Sequence, residues 1–164
     1  MTSSSQNTAV GFNAEVAFNA LTNATAVGAR ASVAQNNSLV LGSINGVNGA
    51  TSNVNVGIGT STPQGHLEVA SEGVSNDLVV RVATGIPEVL GRASRGTLVA
   101  PTVVQTGDLL LSVDGQGHDG TTFGSGARLR IEATENWTAT TGGAQLGLFT
   151  VANGTRTPVE RVTV

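Results

Sequence analysis

The sequence predicts an all-β chain in which an N-terminal parallel β-roll, or β-solenoid, is followed by a C-terminal antiparallel β-sandwich module. Three observations predict this class. A short apolar phrase that ends in glycine recurs four times in the first part of the chain. Longer runs with period-two alternation follow it, and Gly, Pro and Asn breakers separate those runs.

The recurring phrase carries four marker glycines, Gly11, Gly28, Gly42 and Gly57, spaced 17, 14 and 15 residues apart. Ala, Val or Leu residues precede the glycines, which predicts a short strand and then a turn that a side chain would obstruct. Two short strands per unit would wind into four parallel coils. At about 4.8 Å per strand spacing, they would form a column about 15 Å tall.

Coils of this size have little to bury. Their interior is offered only Ala, Val, Leu and Ile, and repeats this short are stable only when stacked on neighbours. We therefore expect the column to bury a second face against copies of itself.

The composition favours a structural role. Charged residues make up 12% of the 164 residues, about half of the roughly 25% usual in globular proteins, and there is no Cys, Tyr or Lys. Apolar content of 39% in strand-length pieces argues against disorder. The net charge of −3 and the scattered arginines exclude a nucleic-acid surface. No stretch is long and apolar enough for membrane insertion, and no export leader is expected.

Changes in pattern predict the domain organisation. Residues 1–6 are expected to be a flexible lead or attachment tail, residues 7–70 the β-roll, residues 71–76 a linker and residues 77–164 the sandwich. Residues 15–21 interrupt the repeat and predict either a short helix or a longer coil. Pro63 is expected to end the repeat before a new strand at residues 67–70.

Alternating runs predict the strands of the second half. Residues 109–113 are apolar on both sides and predict a strand buried between the sheet and a partner. The other predicted strands share the period-two alternation and lie at residues 78–83, 128–132, 145–148 and 159–164.

Both halves resemble known families. The repeat block at residues 7–59 resembles the head repeats of trimeric autotransporter adhesins. The phrase at residues 7–14 and the string at residues 56–63 with residues 67–69 also resemble segments of bacteriophage tail fibres. The second half resembles a tail-fibre and spike module that often precedes an endosialidase-type intramolecular chaperone. The segments that carry this second likeness are residues 91–97, 100–102, 107–108, 117–121, 126–127, 136–140 and 153–161.

The resemblance implies a homotrimeric structural fibre component of a bacteriophage virion, exposed on the particle surface and in contact with other virion proteins. Its loops would be presented to a bacterial surface glycan. The chain ends about where such a chaperone would begin, so the expected molecule is a mature or truncated fibre segment without protease activity. The alternative is the head of a bacterial trimeric surface adhesin.

One loop offers metal-ligand chemistry. Residues 114–120 contain Asp114, His118 and Asp119, which can supply oxygen and imidazole ligands to a cation. A glycine-rich turn whose aspartates accept from backbone N–H groups explains the same residues. We favour the turn and expect no metal and no cofactor.

The remaining candidates do not assemble into a catalytic site. His66 has no partner at ligand spacing and is expected at a surface or interface. Glu132, Glu135 and Asp119 are the close carboxylates, and glycoside cleavage needs two carboxyls about 5–9 Å apart. They are expected to pair with Arg128 and Arg130 instead, so we predict no enzymatic activity.

The single tryptophan, Trp137, can serve either as a sugar-stacking platform or as a packing centre. We favour packing in the core or at a subunit interface. The sequence does not identify a receptor.

Overall fold

The computed structural model of the chain describes residues 6–73 and 78–164. It confirms the predicted all-β class, with a β-solenoid-like region of stacked coils and an antiparallel sheet at the C-terminal end. These residues form thirteen strands and no helix, so no helix in the described part is long and apolar enough to span a membrane. The chain divides into two compact units, one ending at Val79 and the other beginning at Val80. Of the predicted lead only Gln6 is described, and part of the predicted linker at 71–76 lies outside the described residues. The predicted domain boundaries therefore stay predictions.

The first unit is a stack of parallel strands. Its strands are β1 (Thr8–Val10), β2 (Glu15–Val16), β3 (Ala24–Val27), β4 (Ser32–Val33), β5 (Ser38–Leu41), β6 (Val56–Ile58) and β7 (Leu67–Val69). β1, β3 and β5 form one parallel sheet, β2 and β4 a second, and β6 and β7 a third. The chain thus passes through two sheets per coil.

Three marker glycines form a column at the end of the first sheet. The N–H of Gly28 donates to the carbonyl of Val10 at 2.8 Å, and that of Gly42 to Val27 at 2.7 Å. A Cβ on Gly28 would lie 3.0 Å from Cα of Gly42, and the φ of Gly28 is +123°. Glycine recurs here because successive backbones approach too closely for any side chain.

The coils turn at residues with left-handed backbone. Gln6, Asn23 and Asn37 precede β1, β3 and β5 and have φ between 52° and 62°. Asparagine adopts this conformation more readily than most residues. The asparagines next to these corners bond between coils: Asn7 Oδ1 accepts from the N–H of Ala24 at 3.0 Å, and Asn36 Oδ1 from that of Thr22 at 2.9 Å. The asparagines therefore fix both the corner and the coil spacing.

The core between the two sheets is small. Ala24 and Ala26 of β3 face Val33 of β4, and all three are fully buried. Leu21 and Ala31 complete this cluster, while Val16 and Val40 pack against it. Val33 is the largest side chain that is fully buried among the described residues, as the expected lack of large interior residues requires.

Two details of the predicted repeat are wrong. Gly57 is not the fourth member of the glycine column, because β6 pairs with β7 and not with β5. Three rungs are therefore in register, about 10 Å in height. Pro63 does not end the winding, since β7 lies parallel to β6 after it. The proline sits in the exposed connection, where its missing N–H disrupts no ladder.

The number of residues between paired parallel strands differs from pair to pair. Thr8 pairs with Thr25, Ala24 with Ser38 and Val56 with Leu67, which gives steps of 17, 14 and 11 residues. The longer first coil contains the irregular segment at residues 15–21. That segment forms β2 and a turn in which the N–H of Leu21 donates to the carbonyl of Phe18, so it is a longer coil and not a helix.

The second unit contains an antiparallel sheet. A short pair is formed by β8 (Arg95–Gly96) and β9 (Pro101–Thr102). The strands β10 (Leu109–His118), β11 (Phe123–Ala133), β12 (Ala144–Val151) and β13 (Pro158–Thr163) follow one another across a four-stranded meander. The predicted strands from residue 109 onward are confirmed. The second layer that a sandwich needs is not formed by the described residues of one chain and stays a prediction.

One strand assignment in this half differs from the prediction, and one predicted environment is not tested by a single chain. Residues 78–83 were expected to form a strand, but no strand lies between β7 and β8 in the described part of the chain. A strand requires a neighbour for its backbone groups, and a single chain supplies none here. Residues 109–113 do begin a strand, but β10 is an edge strand on which Leu109 and Val113 are exposed in a single chain, so their burial against a partner stays a prediction.

The glycine column gives a stability test. Gly28→Ala is expected to lower the free energy of unfolding by about 3 kcal/mol, because it adds a steric contact to an unfavourable φ. Gly46→Ala is the matched control: Gly46 has a φ of +82° but open space where a Cβ would lie. We expect it to cost about 1–2 kcal/mol. Urea unfolding measures both, and equal losses would contradict the close-approach explanation.

Candidate functional site

The four-stranded sheet has one apolar face. Val113, Leu129, Leu148 and Val162 are cross-strand partners in a row that crosses all four strands. Leu111, Ile131 and Leu146 form a second row, two residues along each strand and so on the same face. An open depression of about 500 Å³ lies over part of this face. Val113, Leu148 and Val162 are exposed, so the described residues leave much of the face uncovered.

The opposite face is charged. Arg128 lies 3.5 Å from Asp114, its cross-strand partner, and Ser125 Oγ donates to the same carboxylate at 2.6 Å. The bond from Ser125 is the largest cause that lowers the pKa of Asp114. The Arg130 guanidinium lies over the Phe149 ring, 5.3 Å from its centroid. The sheet is therefore amphipathic, as expected of an antiparallel sheet with one face packed on a partner.

The candidate cation ligands at residues 114–120 are not brought together. Asp114 and His118 both lie on β10, four residues and therefore about 13 Å apart along the strand. Asp119 is in the following turn, where its Oδ1 accepts from the N–H groups of Thr121 and Thr122 at 2.7 and 2.8 Å. His118 Nδ1 accepts from the N–H of Gly120. The segment was expected to be one loop, but it is a strand end and a tight turn.

An open cavity lies beside this turn. Arg156, from the connection between β12 and β13, pairs with Asp119 at its rim. The pKa of Asp119 is lowered chiefly by the backbone bond from Thr122, and next by Arg156. The cavity measures about 390 Å³ and is lined by Gly117, Gly124, Ser125, Val151, Thr155 and Arg156. Its polar groups are the Arg156 cation and the hydroxyls of Ser125 and Thr155, and the Ser125 hydroxyl is held by Asp114 and Arg128.

The carboxylates considered for glycoside cleavage bond to different partners. Glu135 accepts from the N–H of Gly143 at 2.7 Å, while Asp119 pairs with Arg156. The expected pairing of Glu132 and Glu135 with Arg128 and Arg130 is not found among the described residues, whose ion pairs involve only aspartates. His66 is exposed. Residues 6–73 and 78–164 contain no group of three His, Cys, Asp or Glu side chains able to hold a metal ion.

Trp137 packs locally. Its indole N–H donates to the carbonyl of Gly143 at 3.1 Å, and its ring covers Gly142, where a Cβ would be 3.4 Å away. The side chain is only half-buried, and its backbone N–H bonds to the carbonyl of Val104, a buried residue. One ring face is thus occupied by the chain itself, which favours packing over a sugar platform.

The sequence did not single out the ion pair between Arg95 and Asp108. Arg95 donates from Nε and Nη2 to the two carboxylate oxygens at 2.8 and 2.9 Å, so the pair is bidentate. The hydrogen bond from Arg95, followed by that from the N–H of Gln105, lowers the pKa of Asp108 to about 2. This pair ties β8 to the start of β10. The sequence predicted a turn at Gly107-Asp108, but it did not predict that Arg95 would pair with Asp108.

The Asp108 pair predicts an acid-sensitive link. Because its pKa is lower in the folded chain than the ordinary value of 3.8, Asp108 contributes stability above pH 4. This contribution is lost as the pH falls from about 4 to about 2. Urea midpoints across that window should fall for the unmodified chain and should fall less for Asp108→Asn. Parallel pH profiles for the two chains would contradict the link.

The comparisons with known proteins found fibre structures. Two solved structures similar to the chain are the carboxy-terminal domain of the bacteriophage T5 L-shaped tail fibre and the same domain with its intra-molecular chaperone domain. Each is 24% identical, has a TM-score of 0.49 and covers 60% of this chain. This chain spans 38% of the first and 26% of the second. No family model and no curated protein match the sequence.

Proposed function

We propose that the chain is a non-enzymatic structural component of a bacteriophage fibre that assembles as a homotrimer on the virion surface. The observation that carries this proposal is the apolar outer face of the sheet formed by β1, β3 and β5. The sequence motifs of both halves, which resemble fibre and trimeric adhesin segments, supply the setting.

The outer face of this sheet presents one apolar column and one column of two threonines and a leucine along the stack. Val10, Val27 and Leu41 are successive partners in the parallel ladder, and all three are exposed. The column that starts at Thr8 continues through Thr25 to Leu39. The inward column is Ala9, Ala26 and Val40, so the larger side chains lie outside and the smaller ones inside. In a stable monomer the large apolar side chains lie inside. In this stack they lie on the exposed outer face.

Burial of these columns favours association with identical chains. A fully buried Val or Leu side chain stabilises by about 1.5–3 kcal/mol relative to an exposed one. The outer columns carry no charged residue, so the partner surface is expected to be apolar as well. Three copies arranged around an axis can bury their outer columns against one another. They then use one type of interface and form a closed assembly.

The geometry of the stack suits a fibre. Its strands lie across the direction of stacking, and each further coil extends the column by about 4.8 Å. Such a segment acts mechanically: it projects outward, contacts other virion proteins and presents its turns to the surroundings. The turns that join β10 to β11 and β12 to β13 meet at Asp119 and Arg156, and we place contact with a bacterial surface glycan at these turns.

Assembly is tested by a matched pair of variants. Leu39 on the outer column and Phe18 in a loop are equally exposed, at 60% each. Leu39→Asp places a charge in the proposed interface, so we expect light scattering at low concentration to show single or unfolded chains. Phe18→Asp should keep the mass of three chains. A folded single chain for the unmodified protein would contradict the homotrimer.

The virion setting is tested separately. Antibodies against the chain should label an appendage of the phage particle in electron micrographs. Labelling of a bacterial cell surface without particles would instead support the adhesin-head alternative.

The absence of enzymatic activity is tested with polysaccharide. The carboxylates expected to matter for hydrolysis have separate partners, Glu135 with Gly143 and Asp119 with Arg156. We therefore expect unchanged chain lengths after incubation with purified host polysaccharide, measured by size-exclusion chromatography. A boiled sample of the same protein is the control. Shortened products from the native protein alone would identify a sugar-cleaving tailspike.

A further inference from the structure

We propose that residues 78–83 of one copy add as a fifth strand to the free edge of β13 in a second copy. This inference rests on the proposed self-association and specifies how two copies are joined. Such a strand exchange is a form of β-augmentation, in which backbone hydrogen bonds supply affinity and alternate side chains supply specificity.

The segment has the properties of a strand without a partner. Leu78, Val80 and Val82 alternate with Val79, Arg81 and Ala83. Leu78 is 83% exposed, Val79 77%, and Val80 and Val82 45% each, so apolar side chains on both sides of the segment reach the surface. No backbone hydrogen bond joins residues 78–94 to any other described residue. Neither its apolar side chains nor its backbone groups are therefore satisfied within one chain.

The edge of β13 is available. The sheet order places β10 and β13 at its two edges. The start of β10 is flanked by its own chain, since a Cβ on Gly91 would lie 3.0 Å from the Leu110 carbonyl and Arg95 bonds to Asp108. β13 has six residues, which equals the length of the segment, and Val159 and Val162 are exposed. An unprotected edge of this kind is a template for another strand.

The side chains match on both faces of the sheet. With Leu78, Val80 and Val82 on the apolar face, the segment continues the row that ends at Val162. Arg81 then lies on the charged face, which also carries Glu160, the cross-strand partner of Phe149. The Glu160 carboxylate accepts a hydrogen bond from the Thr163 hydroxyl. Among the described residues, neither Glu160 nor Arg81 forms an ion pair. Opposite charges on neighbouring strands stabilise a sheet.

A second copy is the occupant that these observations favour. Residues 80–83 and β13 belong to the same compact unit, yet one chain leaves them unpaired. Every copy carries both an unpaired segment and an unpaired edge, so reciprocal exchange around a ring satisfies all of them. A foreign strand would satisfy the edge alone and leave the segment exposed.

Disulfide trapping tests the exchange, because the chain has no cysteine of its own. One tagged chain carries Leu78→Cys, Val80→Cys or Val82→Cys, and a second, differently tagged chain carries Val162→Cys. The matched controls are Val79→Cys, Arg81→Cys and Ala83→Cys on the opposite face. After co-assembly and oxidation, we expect a covalent species with both tags from the first set and none from the controls, since a disulfide needs Cβ atoms about 3.5–4.5 Å apart.

The outcomes separate this inference from the proposed function. Light scattering on each assembly shows whether the variants still associate. An assembly of three chains without any cross-link would overturn the exchange and leave the homotrimer standing, whereas single chains would contradict both. Cross-links only within a Val80→Cys, Val162→Cys double variant would show pairing inside one chain and overturn the exchange. Cross-links only between two Val80→Cys chains would also overturn it, because the segments would then pair with each other.

Discussion

The close approach of successive backbones at Gly11, Gly28 and Gly42 is the constraint on which the first unit depends. A Cβ on Gly11 would lie 2.5 Å from the carbonyl of Gly28, and one on Gly28 would lie 3.0 Å from Cα of Gly42. The glycines set the coil spacing, and that spacing aligns the apolar columns on the neighbouring strands. The fully buried residues between the sheets are accordingly small, Ala24, Ala26, Ala31 and Val33, and Leu21 completes the cluster. The larger apolar side chains Val10, Val27 and Leu41 lie on the outer face.

Both units expose apolar rows that run across their strands. In the first unit the row passes from Val10 to Leu41, and in the second it passes from Val113 to Val162. The residues of each row are partners in the backbone ladder, so a change of one side-chain rotamer would still leave the rest of the row exposed. The proposed self-association explains both rows with one physical cause, the burial of apolar surface.

The sequence predicted the features that depend on local pattern. The glycine phrases located β1, β3 and β5, and alternation located β10 to β13. The prediction was wrong where strand pairing, and not local pattern, determines the structure. Gly57 follows the same kind of phrase as Gly42, but its strand β6 pairs with β7 and not with β5. Residues 78–83 alternate as well as β11 does, yet they have no neighbour in one chain. At the candidate site, the turn role of Asp119 was predictable from Asp-Gly chemistry, but its pairing with Arg156, 37 residues away, was not.

The unequal length of the two coils that join β1, β3 and β5 has a consequence for folding fidelity. In a perfectly periodic array, a chain that misaligns by one full rung recovers nearly all of its contacts, so shifted forms compete with the correct one. Here the two steps between the three rungs in register are 17 and 14 residues, and a shifted rung would have surplus or missing residues at its corners. The unequal coil lengths therefore favour one register of the parallel strands over the shifted registers.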